Sequence, residues 1–586
     1  MTRTARVAWV LGLALSSLGG LAVAADGPLP PARRWVPKNA VIVVEVHRPQ
    51  AVLDLLYGPK MTRMVTSHPA YKQAAAGPQL QGLLQVVNYL EMQVGTDWRK
   101  GLAKLVEGGV TLAVLPGGGS VMIVDSGDEA ILGKVHDVII EGARGEAAKQ
   151  GKPDPVVSRE VQGVTIWALG GASVHAVVGK RLLMGNSPAA LETLLEHRAH
   201  PDRPTIEASA SYQAARNAAG DQAAATAFAD LAVLKTVPQF ADMIKPSDNP
   251  MTVLLMAGMK QTLKLSKWLG LGLRVEGESL ALDAFMDGKT GTTAAEAGFA
   301  SPSAGKGALP LLAVPRQFAG MSFYRDLNAF YSAKDQLFPE RTSGIIFFEN
   351  MMGIFFSGRD LNSEVFAETR PEVRFVLAEQ KYDPAVGTPD VKLPAFALVI
   401  PSRHPDEFAR VVEEAWQKAV GLTSVTRGQQ AEPGLIIDRV THADVKFTVA
   451  NFAAGKNDDK AHLPSRYNFS ASMARVGDTF ILSSTEGLAR DLIDALKKAP
   501  TAVAKPLVGT DTVVNLDGIQ LASILSANRE TLIERNMVEK GNARANAEGQ
   551  IDLFTAVAKL ARRVEFTAGV HGGLSRLTLS LDLNLP

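Results

Sequence analysis

What most constrains this chain is that it repeats itself. Gly95-Thr96-Asp97-Trp98 leads to the apolar run Val110–Val114, and Gly358-Arg359-Asp360-Leu361 leads to Val373–Leu377. In both places fifteen residues separate the glycine from the first valine of the run. Val178-Gly179-Lys180-Arg181-Leu182-Leu183-Met184 is likewise matched by Val476-Gly477-Asp478-Thr479-Phe480-Ile481-Leu482. Asn186-Ser187 then opens the helical pattern Ala189–Glu196, and Ser484-Thr485 opens Gly487–Lys497. An ordered set of matches changes what any single motif means, because each copy must build and bury its own core. A chain of 586 residues is also well past the size at which one core stops growing.

Other elements recur in the same order. Val41–Val46 followed by Pro49–Leu56 corresponds to Gly320–Tyr324 followed by Leu327–Leu337, a strand running into a helix. Thr226–Leu231 corresponds to Thr512–Asp517. Each copy closes on an alternating hairpin, Leu271–Val275 with Leu280–Met286 and Glu565–Val570 with Leu577–Leu585. Period-two alternation reads as a half-buried strand. A strand, a polar cap and a helix recur inside each copy: Met122–Val138 with Asp125 or Ser126, Leu182–Leu195 with Asn186 or Ser187, Phe396–Trp416 with Ser402 or His404, and Phe480–Leu496 with Ser484. Hairpins joined to such helices predict an α+β fold: two diverged copies of a module with an antiparallel sheet and helices packed mainly on one face. The expected order is a signal peptide over 1–24, repeat one over 25–286, a Gly/Ala/Ser/Thr-rich linker over 287–309 and repeat two over 310–586. Gly142–Asp154 and Ala453–Pro464 read as loops that vary between the copies.

The duplicated strand–helix opening, the Gly-x-Asp step before a strand and the Val-Gly-x-x-apolar hairpin resemble a family of exported bacterial envelope proteins known only as a domain of unknown function. The resemblance covers most of the chain after residue 24. Ser357 departs from its pattern, standing where Val94 supplies an apolar residue before the glycine. It implies an address and a fold, and no activity.

The N-terminus supports that address. Arg3 and Arg6 precede the apolar stretch Val7–Leu18, and Ala22-Val23-Ala24 offers an A-x-A cleavage site. The apolar stretch is short for a membrane span, so no span is expected once the signal is cleaved; the rival is a retained anchor. Cysteine is absent, which removes disulfides, thiolate metal sites and lipidation at the leader. With 61 basic and 60 acidic residues the chain is near neutral, and it lacks Lys/Arg runs, so nucleic acid is not expected as a partner. A periplasmic or cell-surface location follows.

No catalytic, metal or cofactor motif stands up, and no cofactor is expected. Gly288-Lys289-Thr290 lacks the earlier glycine of a phosphate-binding loop, since position 283 is Asp. Gly117-Gly118-Gly119 lies between two strands and reads as a hairpin turn. His197 and His200 read as a helix C-terminus rather than as metal ligands. Asp97 and Asp360 read as helix caps, against the rival of a shared acidic site. Glu45 reads as solvent-facing at a sheet edge. One stretch stands out: between Ile345 and Phe356, the residues Phe347, Phe348, Met351, Met352, Phe355 and Phe356 form an apolar helical side. Aromatics and Met make adaptable contact surfaces, and these six are the candidate apolar contact; the rival is a buried core helix. The leading functional reading is a non-enzymatic exported protein that binds another envelope component. A carrier or chaperone for an apolar, lipid-like ligand is the second, and a hydrolase with a non-standard carboxylate site is the third.

Overall fold

The computed structural model describes residues 29–585 apart from 68–70, 73–74, 76, 170–172, 246, 248, 289–297, 340–342, 383–387, 433, 453–466 and 499–504. The expected leader, the Lys289-Thr290 step and the Ala453–Pro464 loop therefore lie outside the described residues. The chain forms two compact units. Unit 1 holds the chain to Ala241 together with Lys267–Met286, and unit 2 holds Asp242–Ser266 and Asp287–Asn584.

Unit 1 contains strands β1 (Ile42–Val46), β2 (Gly109–Val114), β3 (Ser120–Asp125), β4 (Val156–Val161), β5 (Val164–Leu169), β6 (Val174–Val178), β7 (Arg181–Gly185), β8 (Ala225–Asp230), β9 (Trp268–Glu276) and β10 (Ser279–Met286). They pair antiparallel throughout, in the order β4-β5-β6-β7-β3-β2-β1-β8-β9-β10. Unit 2 contains β11 (Gly307–Ala308), β12 (Gln317–Tyr324), β13 (Glu372–Ala378), β14 (Ala395–Pro401), β15 (Leu435–His442), β16 (Val445–Phe452), β17 (Ala471–Val476), β18 (Thr479–Ser483), β19 (Leu507–Val508), β20 (Thr510–Leu516), β21 (Ala561–His571) and β22 (Leu574–Leu583). Its antiparallel order is β15-β16-β17-β18-β14-β13-β12-β20-β21-β22, with β11 and β19 as a separate two-stranded ribbon. The α+β class holds.

The repeated glycines have a conformational cause. Gly179 and Gly477 turn the β6–β7 and β17–β18 hairpins with φ of 56° and 61°, and Gly95 and Gly358 follow helices with φ of 76° and 72°. Only glycine enters that left-handed region without a Cβ penalty.

Several expectations need correction. Glu45 is buried, because β1 is paired on both sides by β2 and β8 and is no edge. Its carboxylate accepts the Tyr212 hydroxyl and lies 3.8 Å from Arg33, so the buried charge has partners. The Gly142–Asp154 loop starts later than expected: helix Glu129–Lys149 runs through its first half, since isolated glycines do not stop an Ala-, Glu- and Lys-rich helix. That helix is capped by Asp128, not by Asp125 or Ser126. Ser187 caps Pro188–Ala199, and Thr485 accepts the Leu488 amide at the start of Glu486–Lys498. Helix Pro405–Gln429 has His404 at its cap position and no side-chain cap bond.

The largest difference is in layering. In unit 2, Ala397, Val399, Val449 and Ile481 pack against Leu488, Leu492 and Ile493 of helix Glu486–Lys498. The alternate residues of the same strands, Leu398, Ile400, Ala450 and Leu482, face the opposite way, towards helix Pro405–Gln429. Helices therefore cover both faces of this sheet. Two further helices join the second layer, Ser343–Phe355 and Pro250–Leu265. The latter sits between β8 and β9 in sequence, inside the segment expected for the first copy, yet belongs to unit 2. The expected linker is also partly structural: Phe299 and Ala300 are buried with Val253 and Phe330, and β11 lies within it. No helix among the described residues is long and apolar enough to cross a membrane.

Candidate functional site: an apolar cavity in unit 2

Between the unit 2 sheet and its second helical layer the packing leaves a cavity of about 910 Å³. That is near the top of the range of about 300–1,000 Å³ in which small-molecule sites fall. Its floor is the outward-facing side of the strands, with Leu398 and Ile400 of β14 and Leu482 of β18. Its roof is a helical stripe on Pro405–Gln429: Phe408, Val412, Ala415, Trp416, Ala419, Thr423 and Arg427 recur at the three- and four-residue spacing that keeps side chains on one face. Ala415 and Ala419 are the small members of this stripe and leave room that larger side chains would fill. Arg427 lies nineteen residues beyond Phe408. At 1.5 Å per residue the lining extends about 28 Å along the helix, close to the hydrocarbon thickness of a bilayer.

The six candidate contact residues divide. Phe348, Met352, Phe355 and Phe356 line the cavity. Phe347 is 67% exposed and Met351 is half-buried, and neither lines it. Six residues on such a stripe span about half the helix circumference, more than one cavity wall can face. Pro250, Met251 and Leu254 from helix Pro250–Leu265 add to the same wall.

The polar groups in the lining are nearly all spent on the fold. The Thr369 hydroxyl donates to the Phe366 carbonyl at 2.9 Å, and Thr423 to Ala419 at 2.8 Å. Ser483 donates to the Thr485 carbonyl at 2.8 Å, and Ser484 Oγ accepts the Phe396 amide at 2.9 Å. Arg427 is the one charged residue among the described lining. Its Nη1 lies 2.8 Å from Glu432 Oε2, and its guanidinium carbon stands 4.4 Å from the Phe452 ring centroid. The lining is thus apolar apart from one cationic group. Sequence reasoning placed a helix up to Trp416 but passed over its apolar stripe as a lining and over Arg427. The stripe's spacing was legible, but spacing reports a covered face and not the space beneath it.

The two recurring aspartates are engaged at helix starts. Asp97 lies in unit 1 and caps helix Trp98–Leu105, accepting amides from Arg99 at 3.0 Å and Lys100 at 3.3 Å. Asp360 caps the turn Leu361–Val365 in unit 2, accepting the Ser363 amide at 2.7 Å, and that backbone hydrogen bond holds its carboxyl below the usual range. Asp97→Ala should cost about 1 kcal/mol and Asp97→Asn much less, and Asp360→Ala should lower the melting temperature more than Asp360→Asn. Thermal denaturation of both pairs checks this; equal loss with Ala and Asn would remove the capping account. His197 Nδ1 lies 2.9 Å from the Thr193 carbonyl within its own helix, and no three His, Asp or Glu side chains gather as metal ligands among the described residues.

A second polar cluster sits beside the cavity helices. Ser357, at φ 60°, donates to Glu414 and accepts from Lys418, while Arg359 reaches Glu414 at 2.6 Å. The arrangement has the outline of a serine–lysine pair. Glu414 is held down to about 2, chiefly by the Arg359 hydrogen bond, so it is ionised and lies 3.3 Å from Lys418. A lysine set against an ionised carboxylate lacks the apolar or cation-crowded surroundings that activate lysine bases. The cluster ties the end of helix Ser343–Phe355 to helix Pro405–Gln429.

No family model matches the chain, and no curated protein matches it. Similar solved structures include crystal forms I, III and IV of TP0453, at 10%, 9% and 9% identity. They cover 46%, 46% and 44% of this chain and 83%, 83% and 81% of that one, with TM-scores of 0.24, 0.23 and 0.24. A likeness of that degree assigns neither fold nor function.

Proposed function

We propose that this is an exported envelope protein whose second unit carries an apolar, lipid-like ligand in the cavity between its sheet and its helices. The observation that carries the reading is the cavity itself: about 910 Å³ walled by aromatic and aliphatic side chains, with its hydroxyls already bonded inside the fold. Each methylene moved from water into such a space contributes about 0.8 kcal/mol before ordering costs, so a chain of moderate length suffices for tight binding. The envelope component expected from the sequence is then itself the lipid-like molecule. The leader expected from the sequence over 1–24, with the sequence resemblance to exported envelope proteins, is what supports the address.

We also take the two units to be diverged copies. The support is that β1 to β10 and β12 to β18 with β20 to β22 follow one strand order. Only the second copy carries the aromatic helix Ser343–Phe355, which agrees with a ligand role confined to unit 2.

Purification of the protein from its own host, followed by mass spectrometry of the organic extract, tests the reading. A co-purifying lipid or other chain-bearing molecule is expected. Ala419→Trp places an indole in the cavity and should lower that load at least tenfold without lowering the melting temperature. A wild-type protein that carries no apolar molecule and also fails to bind N-phenyl-1-naphthylamine would overturn it.

A further inference from the structure

Within the cavity the polar chemistry is concentrated at one residue. Arg427 is the charged member of an apolar lining, its side chain is only 11% exposed, and it occupies the far end of the stripe that begins at Phe408. The hydroxyls along the way are bonded to backbone, so a ligand's polar group has little to gain anywhere else. The guanidinium rests over the Phe452 ring, which fixes the plane of its donors. A planar fork of that kind pairs with a carboxylate or phosphate through two parallel hydrogen bonds.

One carboxylate already sits there. Glu432 lies just past the end of helix Pro405–Gln429, its amide held by the Arg427 carbonyl at 3.0 Å, and its side chain is 28% exposed against the 11% of Arg427. The arginine is thus the buried partner and the glutamate the one that can return to water. Glu432 is outside the cavity lining. We propose that the ligand is a single-chain amphiphile with an anionic head, whose hydrocarbon fills the cavity and whose head exchanges with Glu432 at Arg427. Glu432 then acts as a built-in stand-in for the head, neutralising Arg427 when the cavity is empty. This deepens the lipid-carrier reading and rests on it.

The full chain tests it with N-phenyl-1-naphthylamine, a neutral fluorescent probe, displaced by palmitate, hexadecyl phosphate or 1-hexadecanol. Wild-type protein should release the probe at an anionic competitor concentration at least about tenfold below that of hexadecanol, the scale of one charge-assisted contact. An advantage for either anion supports the proposal, and the better one identifies the head. Arg427→Met should still bind the probe but lose the preference to within about twofold. Glu432→Gln should widen it, because the internal competitor is gone; this variant also serves if Arg427→Met fails to fold. Equal displacement by the anions and hexadecanol in wild type, or a preference unchanged in Arg427→Met or in Glu432→Gln, overturns the anionic head while leaving the apolar cavity in place. Failure of wild-type protein to bind the probe or any chain overturns both.

Discussion

Arg325→Met is expected to lower the stability of unit 2 by about 3–5 kcal/mol, the range for leaving a buried charge without its partner. The Arg325 side chain is 5% exposed and its donors are fully engaged. Nε reaches the Leu254 carbonyl at 2.8 Å, and Nη2 reaches the Leu255 carbonyl at 3.1 Å and Thr512 Oγ1 at 2.9 Å. Nη1 serves the carbonyls of Tyr324 at 2.8 Å and Asp511 at 3.0 Å, and lies 3.4 Å from Asp511 Oδ1. Burial pulls the guanidinium below its usual range while Asp511 supports its charge. Methionine would fill the volume and leave four carbonyls and a carboxylate short of a donor. Denaturant unfolding of the full chain measures the cost, and Asp511→Asn added to Arg325→Met should recover part of it. A single variant within 1 kcal/mol of wild type would show that water replaces the arginine at little cost.

Acidification should strike unit 1 through a pair of histidines. His136 and His175 are 2% and 4% exposed, with their Nε2 atoms 3.2 Å apart, and Trp167 stands edge-on to His136 with ring centroids 5.8 Å apart. Burial, with repulsion from His136, presses the His175 pKa down to about 3. An unfolded histidine titrates near 6.5, so between about pH 6.5 and 3 the unfolded chain binds a proton that the folded unit refuses. Stability from this group is complete above that window and falls as the pH drops through it. The folded-to-unfolded ratio should fall about tenfold per pH unit, a hundredfold by pH 4.5. His175→Gln removes the titrating group, so its stability should lose that slope. Parallel pH dependences in the two proteins would rule the pair out as the cause.

The parts of the fold that were legible in the sequence are those set by local chemistry. The hairpins at Gly179 and Gly477 announce themselves because a left-handed turn demands glycine, and Asp97 and Asp360 because a helix start demands an acceptor. Two-sided burial was also on view and was misread. Ala395-Phe396-Ala397-Leu398-Val399-Ile400 is apolar at every position, the pattern of a strand covered on both faces, whereas a one-faced strand alternates. Glu45 misled in the opposite sense: a charge in an apolar strand reads as an edge, but Tyr212 comes from a distant part of the sequence and Arg33 from the turn-like segment before the strand to satisfy it. The cavity was the least legible feature. Helix Ser343–Phe355 drew attention through its aromatics, yet the space depends on alanines at 415 and 419 and on Pro250–Leu265, whose apolar face carries no mark of which sheet it will cover.

That last helix makes the order of synthesis matter. Helix Pro250–Leu265 leaves the ribosome before any strand of the unit it completes, while Asp511 and Thr512, which share Arg325 with its carbonyls, come more than two hundred residues later. At about 5–20 residues per second the helix waits on the order of tens of seconds with its apolar side uncovered. A fragment beginning after Met286 would lack one wall of the cavity and two of the carbonyls that hold Arg325, and a fragment ending there would carry an orphan helix. Dissecting this protein therefore takes two cuts and a transplanted segment; a single break at the Gly- and Ala-rich stretch after Met286 leaves neither half whole.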